Sequence, residues 1–250
     1  MSTFDARAIV IHEVSAGESD KRITLLAKEK GKISAYGRGA KKVSSKILSV
    51  CQLFSYADYV LYDGGSFASI TSGSLIDSFY DLRNDYDKLC VGNYILELVN
   101  KAVPLGVPCD DVMFLVLCSL MALKNSKAPP KLVCTAFELK FMQLGGYSPT
   151  THECCNCENE IDNAYFYEDG LACKNCASFL YSQSRTNPKI QKPIQAPPGV
   201  VKAINYIEQS EIKNLFSFKL SDECLSSLDE IAKVFVCRHV DIVVKSRSFI

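Results

Sequence analysis

The sequence predicts an α+β chain: a small β-barrel first, then a helical region into which a cysteine-rich segment is set. Three observations carry that expectation. Short β-branched and aromatic runs punctuated by glycine fill residues 6–79, and past Tyr80 the apolar spacing changes to three and four residues. Within the helical part, Cys154-x2-Cys157 and Cys173-x2-Cys176 are two chelating pairs separated by fifteen residues. At 250 residues the chain can bury a good core in one large domain or in two to three small ones.

Five runs are candidate strands: Ala8–Ile11, Arg22–Leu26, Lys32–Tyr36, Phe54–Leu61 and Phe67–Ile70. Gly17, Gly31, Gly37-Arg38-Gly39 and Asp63-Gly64-Gly65 separate them as turns. Closely spaced strands without a helical period suit a five-stranded OB-fold β-barrel, a small barrel much used to hold nucleic acid. This domain is expected over residues 1–80, followed by an α-helical domain over 81–250 with a metal-binding segment at 147–180.

Net charge makes no case for a polyanion partner, because 28 Lys and Arg face 28 Asp and Glu. The distribution does. Lys21, Arg22, Lys28, Lys30, Lys32, Arg38, Lys41, Lys42 and Lys46 fall in one window whose only acid is Glu29, and Asp58, Asp63, Asp77, Asp81, Asp85 and Asp87 follow it. That asymmetry is the footprint of a polyanion site. Lys21, Arg22, Arg38, Lys41, Lys42 and Lys46 are the candidate nucleic-acid contacts; the plain alternative is a solvated barrel surface. Arg38-x2-Lys41-Lys42 sits in a Gly-rich loop where backbone and side chains can approach phosphates. Tyr36, Phe54, Tyr56, Tyr59, Tyr62 and Phe67 offer rings for base stacking, although strand alternation must bury some of them and at least half read as plain core.

Leu82, Tyr86, Leu89, Leu96, Val99 and Val103 predict a first amphipathic helix, closed by Pro104 and Pro108. The apolar run Val112–Leu123 is twelve residues, short of the ~20 that a membrane span needs. With Asp110 and Asp111 placed for its N-terminus, it reads as a buried core helix. Pro129-Pro130 leads into a third helix carrying Leu132, Val133, Ala136, Leu139, Lys140 and Gln143, which Gly145-Gly146 stops. Ser182–Gly199, rich in proline, reads as a linker. Val201–Ile207 and Asp222–His239 predict two more helices, the second with Leu225, Leu228, Ile231, Val234 and Phe235 on one face. The segment Lys245–Ile250 reads as a frayed tail, or as a docked one because its last two residues are apolar.

A Cys-x2-Cys turn brings two thiolates to roughly 3.5–4 Å, an edge of the tetrahedron around Zn²⁺ at Zn–S distances of about 2.3 Å. Cys154, Cys157, Cys173 and Cys176 are therefore candidate ligands of a structural Zn²⁺ in a ribbon or knuckle, against the alternative of reduced core thiols. Between the pairs, Tyr165-Phe166-Tyr167 runs into the turn Glu168-Asp169-Gly170. Four protein ligands leave no opening for substrate, so the metal would hold the fold and do no chemistry. Cys155 is the spare, and His152 is a possible replacement ligand. Twelve cysteines and no apolar leader after Met1-Ser2-Thr3-Phe4-Asp5 indicate reduced thiols rather than a disulfide framework. Cys51, Cys90, Cys118 and Cys134, in apolar surroundings, read as small core hydrophobes, and Cys109, Cys224 and Cys237, unpaired in sequence, are read alike.

His12, His152 and His239 are far apart, and no nucleophile elbow, HExxH helix, P-loop or GxGxxG turn is present. A thiol oxidoreductase using Cys173 and Cys176 would need a thioredoxin-like βαβ context, and the second cysteine pair argues against it. The sequence predicts a binding protein and not an enzyme.

Several short pieces are familiar in their order: Gly17-Glu18-Ser19-Asp20 with Thr24-Leu25-Leu26 and Glu29-Lys30-Gly31-Lys32-Ile33; Gly37-Arg38-Gly39-Ala40-Lys41-Lys42 with Ser45-Lys46; Phe137-Glu138-Leu139-Lys140 with Gly146-Tyr147-Ser148-Pro149; the cysteine pairs with Gly170-Leu171 between them; and Lys245-Ser246-Arg247. Together they resemble the bacterial RecO family of recombination mediators and DNA-repair proteins over essentially the whole chain. The resemblance implies an OB domain, a helical domain and a zinc-binding segment. It implies binding of single- and double-stranded DNA, annealing of complementary strands and, with RecR, help in loading RecA onto DNA coated by single-strand-binding protein. It implies a cytoplasmic, nucleoid-associated setting without membrane contact, and no catalytic residues. The family's basic loop maps onto Arg38, Lys41, Lys42 and Lys46, and its zinc ligands onto the two cysteine pairs. One departure is Glu158, where the family commonly has glycine; a side chain there is strained if the turn needs φ > 0. The alternative function is a zinc-ribbon adaptor acting mainly through protein–protein contacts.

Overall fold

Strand alternation organises the first 80 residues. In the computed structural model, which describes residues 2–65, 67–125, 128–149, 153–159, 161, 164–183, 192–240 and 244–250, five strands close into a barrel: β1 (Thr3–Ala16), β2 (Asp20–Ala27), β3 (Gly31–Gly37), β4 (Tyr56–Asp63) and β5 (Ala68–Asp77). Neighbours run β1-β2-β3-β5-β4 and back to β1, all antiparallel except a short parallel β3–β5 pairing. Ala8, Val10, Ile23, Leu25, Ala35, Ala57, Tyr59 and Leu61 fill the interior. Residues 38–53 make consecutive turns, and their Ala40, Ile47, Val50 and Cys51 join that core. This is the expected OB-type barrel.

Three strand boundaries differ from the expectation. Strand β1 is far longer than Ala8–Ile11, because it pairs with β2 on one edge and β4 on the other, so even its polar ends are held. Strand β5 continues past Ile70 through Thr71-Ser72-Gly73-Ser74, whose serines and glycine have little β-propensity but pair along β4. Phe54 is not in β4: it sits at φ 75, buried, with its amide donating to the Val10 carbonyl at 3.2 Å.

The chain divides into two compact units, residues 1–126 with 244–250, and residues 127–243. In the first, a 3₁₀ turn at Tyr80–Asn84 takes Leu82 out of the expected helix. Asp85 adopts an extended conformation and accepts from the Lys88 amide at 3.1 Å, so α1 (Tyr86–Ala102) begins there. It packs on the outer face of β1, where Ile9 and Ile11 are buried. Helix α2 (Asp110–Asn125) is only half a core helix: Met113, Val116, Leu120 and Leu123 are buried, while Phe114 and Met121 are exposed. The tail Lys245–Phe249 forms a 3₁₀ turn on α1 rather than fraying.

In the second unit, α3 (Pro130–Leu144) starts with proline at its first position and is buried from Leu132 to Met142. Strands β6 (Ala164–Tyr167) and β7 (Gly170–Cys173) form a hairpin, followed by α4 (Lys174–Gln183). The expected linker is partly structured. Within it, β8 (Ile194–Ala196) pairs antiparallel with β6, and Pro198 opens α5 (Pro198–Gln209). Helix α6 (Asp222–His239) has the expected bounds, with Ser221 as its N-cap. Lys140 reaches from α3 to the Ile207 and Glu208 carbonyls at 3.1 and 3.0 Å, satisfying the end of α5. Among the described residues no helix is long and apolar enough to cross a membrane.

Cys51 and Cys134 are buried as expected, and burial pushes the Cys51 thiol up to about 11. Cys90, Cys109, Cys118 and Cys224 are half-buried; Cys237 is exposed, because it lies on the outer face of α6, and is no core residue.

Candidate nucleic-acid interface and metal centre

The basic loop is fastened to the β1–β2 turn. Gly39 N–H donates to Asp20 Oδ1 at 2.7 Å, Lys41 N–H to the Ser19 carbonyl at 2.9 Å, and Lys41 Nζ to the Gly17 carbonyl at 2.7 Å. Asp20 also accepts from the Tyr36 hydroxyl at 2.7 Å. The Gly39 amide first, then that hydroxyl, hold the Asp20 carboxyl below the usual carboxylate range. A loop of like charges is thereby given one shape by a carboxylate at its base, and Arg38, Lys42 and Lys46 are left exposed.

The six candidate cations fare differently. Arg22, Arg38, Lys42 and Lys46 are exposed, and Lys41 is half-buried. Lys21 turns inward: its ammonium meets Glu13 Oε2 at 2.8 Å, the Cys51 carbonyl at 3.2 Å and Gln52 Oε1 at 3.1 Å, with 12% of its side chain exposed. Lys32, from the same basic window, donates to the Asn100 carbonyl at 2.5 Å and serves the end of α1. Of the rings, Phe54 and Tyr59 are buried, Tyr36 and Tyr56 half-buried, and Tyr62 and Phe67 exposed. Asp20 was invisible as the organiser of the loop; the one signal for it is an acid standing directly before Lys21-Arg22.

The cysteine pairs come together in the second unit. The sulfurs of Cys154, Cys157, Cys173 and Cys176 all lie within 4.8 Å of one another. The first pair sits on a knuckle whose Glu158 amide donates to the Cys154 carbonyl at 2.9 Å. Glu158 has φ 60, so the left-handed position is real and a side chain occupies it. The second pair spans the end of β7 and the first turn of α4. The Cys155 amide donates to the Leu171 carbonyl at 2.8 Å, lacing the knuckle to β7, while the Cys155 side chain is exposed and outside the cluster. His152 lies outside the described residues.

Burial opposes a thiolate at Cys154, but backbone amides of Cys173, Asn156 and Cys157 outweigh it and bring its pKa down to about 6. Asn156 donates to Cys176 Sγ and favours its thiolate. The neighbouring Cys173 sulfur above all, then burial and the other cysteines, still push Cys176 up to about 12. One sulfur ionises readily because amides donate to it, and another resists because it keeps its proton in hydrogen bonds to the neighbouring sulfurs. A soft metal ion would take the place of those shared protons, and the four-sulfur donor set fits one. Tyr147, His239, Phe235 and Phe166 meet in series at tilted and edge-on angles, with 4.6, 4.5 and 6.0 Å between ring centroids, and His239 Nε2 lies 3.2 Å from Asp169, so the hairpin is anchored to α6.

Fold and site define a class: an OB-barrel protein with a charged loop, continued by a helical unit that carries a four-cysteine knuckle. More narrowly, the chain belongs to the recombination protein O family. The family's N-terminal model, Recombination protein O N terminal, matches residues 1–79, and its C-terminal model matches residues 83–248. The chain is 35% identical over 235 residues to the DNA repair protein RecO of Acetivibrio thermocellus, covering 94% of this chain and 89% of that protein. It is 27% identical to that of Clostridium acetobutylicum over 250 residues, covering 98% and 96%, and 27% identical to that of Thermoanaerobacter sp. over 252 residues, covering 100% and 98%.

Proposed function

We propose that this chain is a non-catalytic protein of recombinational DNA repair that binds single- and double-stranded DNA and anneals complementary strands. With RecR it helps load RecA onto DNA coated by single-strand-binding protein, in the cytoplasm at the nucleoid. Family membership and the relatives' name, DNA repair protein, support the setting. The observation that carries the binding role is the loop fastened by Asp20 and Lys41, which presents Arg38, Lys42 and Lys46 outward. Cations so placed neutralise phosphates and release counterions, giving sequence-independent affinity that falls with salt. Two strands held on one basic surface repel each other less, which favours pairing. Arg22 and Lys41 add charge beside the loop, and Lys21 acts from below by holding Glu13, the Cys51 carbonyl and the Gln52 side chain in place. Residues 1–80 carry the DNA. In the segment 147–180, Cys154, Cys157, Cys173 and Cys176 hold Zn²⁺ as a staple for the helical part.

The test is annealing of complementary strands precoated with single-strand-binding protein, alongside direct DNA binding across a salt series. Arg38→Ala, Lys42→Ala and Lys46→Ala combined should slow annealing and reduce the slope of log affinity against log salt by about 2 for single strands, at ~0.7 per lost phosphate contact. Unchanged affinity and slope would remove the loop from the function.

A further inference from the structure

The barrel has a recess that phosphate contacts alone do not use. Val14, Ser15 and Ala16 of β1, Arg22 of β2, Tyr36 of β3 and Phe67, from the connection before β5, line a cleft of about 340 Å³. Phe67 is 44% exposed, a large ring left in water beside a strand end. The Arg22 guanidinium carbon stands 5.9 Å from its centroid, and among the described residues no carboxylate pairs with Arg22. The Tyr36 ring is held by its hydroxyl on Asp20, at 2.7 Å. The same carboxylate grips Gly39, so a wall of the cleft and the base of the charged loop share one hydrogen-bonded anchor. Two aromatic rings, a cation that carries no carboxylate partner and already lies over one of them, and small flooring residues are the chemistry that takes a planar, electron-rich ring. Among the described residues no carboxylate lines the cleft to repel a strand.

We propose that this cleft takes one unpaired nucleobase of the DNA strand whose phosphates lie along the 38–46 loop, stacked on Phe67 with Arg22 swung outward from that ring to lie over the base. The proposal rests on the DNA-binding reading above and adds to it a source of strand preference. Bases in a duplex are stacked and paired, so they do not enter; a single strand gains a contact that a duplex lacks. During annealing the captured base must leave the cleft to pair, so the finished duplex is held only through phosphates and is released more easily than the strands that formed it.

The experiment uses the full chain and three probes of equal length: an oligothymidine, the same strand with abasic sites through its centre, and a blunt duplex. Binding is followed by anisotropy, and a strand carrying 2-aminopurine reports stacking by quenching. Phe67→Ala should weaken binding of the oligothymidine by roughly tenfold and abolish the preference for it over the abasic strand. Duplex affinity should stay within about twofold, and Phe67→Tyr should keep both the preference and the quenching. No change in Phe67→Ala, or an equal loss on all three probes, overturns the cleft and leaves the DNA-binding reading standing. Failure of the unmodified protein to bind any of the three overturns that reading itself.

Discussion

Gly31 opens β3 at φ 65, and a Cβ there would lie 1.9 Å from the Val107 carbonyl oxygen. Gly17, at φ 78, has nothing within 4 Å of the same position. The two glycines share a left-handed backbone and differ only in crowding, so alanine at each separates two costs. Gly17→Ala should lose about 1 kcal/mol, the conformational penalty alone. Gly31→Ala must also displace the backbone at Val107 or distort β3, and should lose on the order of 3 kcal/mol, read from urea midpoints. Equal losses would show that the Val107 contact yields without resistance. Both glycines were legible as turn residues, because φ > 0 leaves a mark in local sequence. The Val107 carbonyl was not, since nothing near Gly31 in the chain announces a loop arriving from beyond α1. Asp20 is alike: its role depends on Tyr36 and Gly39, which the fold and not the local sequence brings to it.

At the scale of elements, legibility follows the length of the pattern. Helix α6 was readable to its bounds because eighteen residues carry a full apolar face and a Ser221 cap. Strand β8 was hidden because Ile194-Gln195-Ala196 is too short to show a period and lies among prolines. The knuckle was legible from spacing alone, and the structure adds that Glu158 sits at φ 60. Two variants test that element in opposite directions. Cys173→Ser removes one thiolate while keeping the backbone amide that donates to Cys154 Sγ. It should lower stoichiometric zinc and the unfolding temperature of the protein. Glu158→Gly relieves the left-handed strain and should slow zinc release to a chelator, worth roughly 1 kcal/mol. Zinc content and stability unaffected by Cys173→Ser would refute the structural staple.

At the scale of the whole molecule, the chain returns to where it began: residues 244–250 belong with residues 1–126. The sequence suggested docking through the apolar Phe249 and Ile250, yet Phe249 is 62% exposed and the attachment is polar. The Ser246 amide donates to Glu97 Oε2 at 3.1 Å, the Ser246 hydroxyl donates to the same oxygen, and Arg247 lies 5.5 Å over the Tyr94 ring. Burial works against the Glu97 carboxylate, but Lys101, at 2.6 Å, and Ser246 outweigh it and lower its pKa from 4.5 to about 2. A carboxyl whose folded pKa is depressed contributes stability in full above its unfolded value and loses it as pH falls through the folded one. The window therefore lies between pH 4.5 and about 2. With 26% of the side chain in solvent, the contribution is about 2 kcal/mol, below the ~3 that the full shift implies. Glu97→Gln should thus be less stable than the unmodified protein by that amount at pH 6, and the gap should narrow as pH falls toward 2. A gap that stays constant across that range would mean that the tail is held by shape and neutral hydrogen bonds, and that the Glu97 charge contributes nothing to closing the chain on itself.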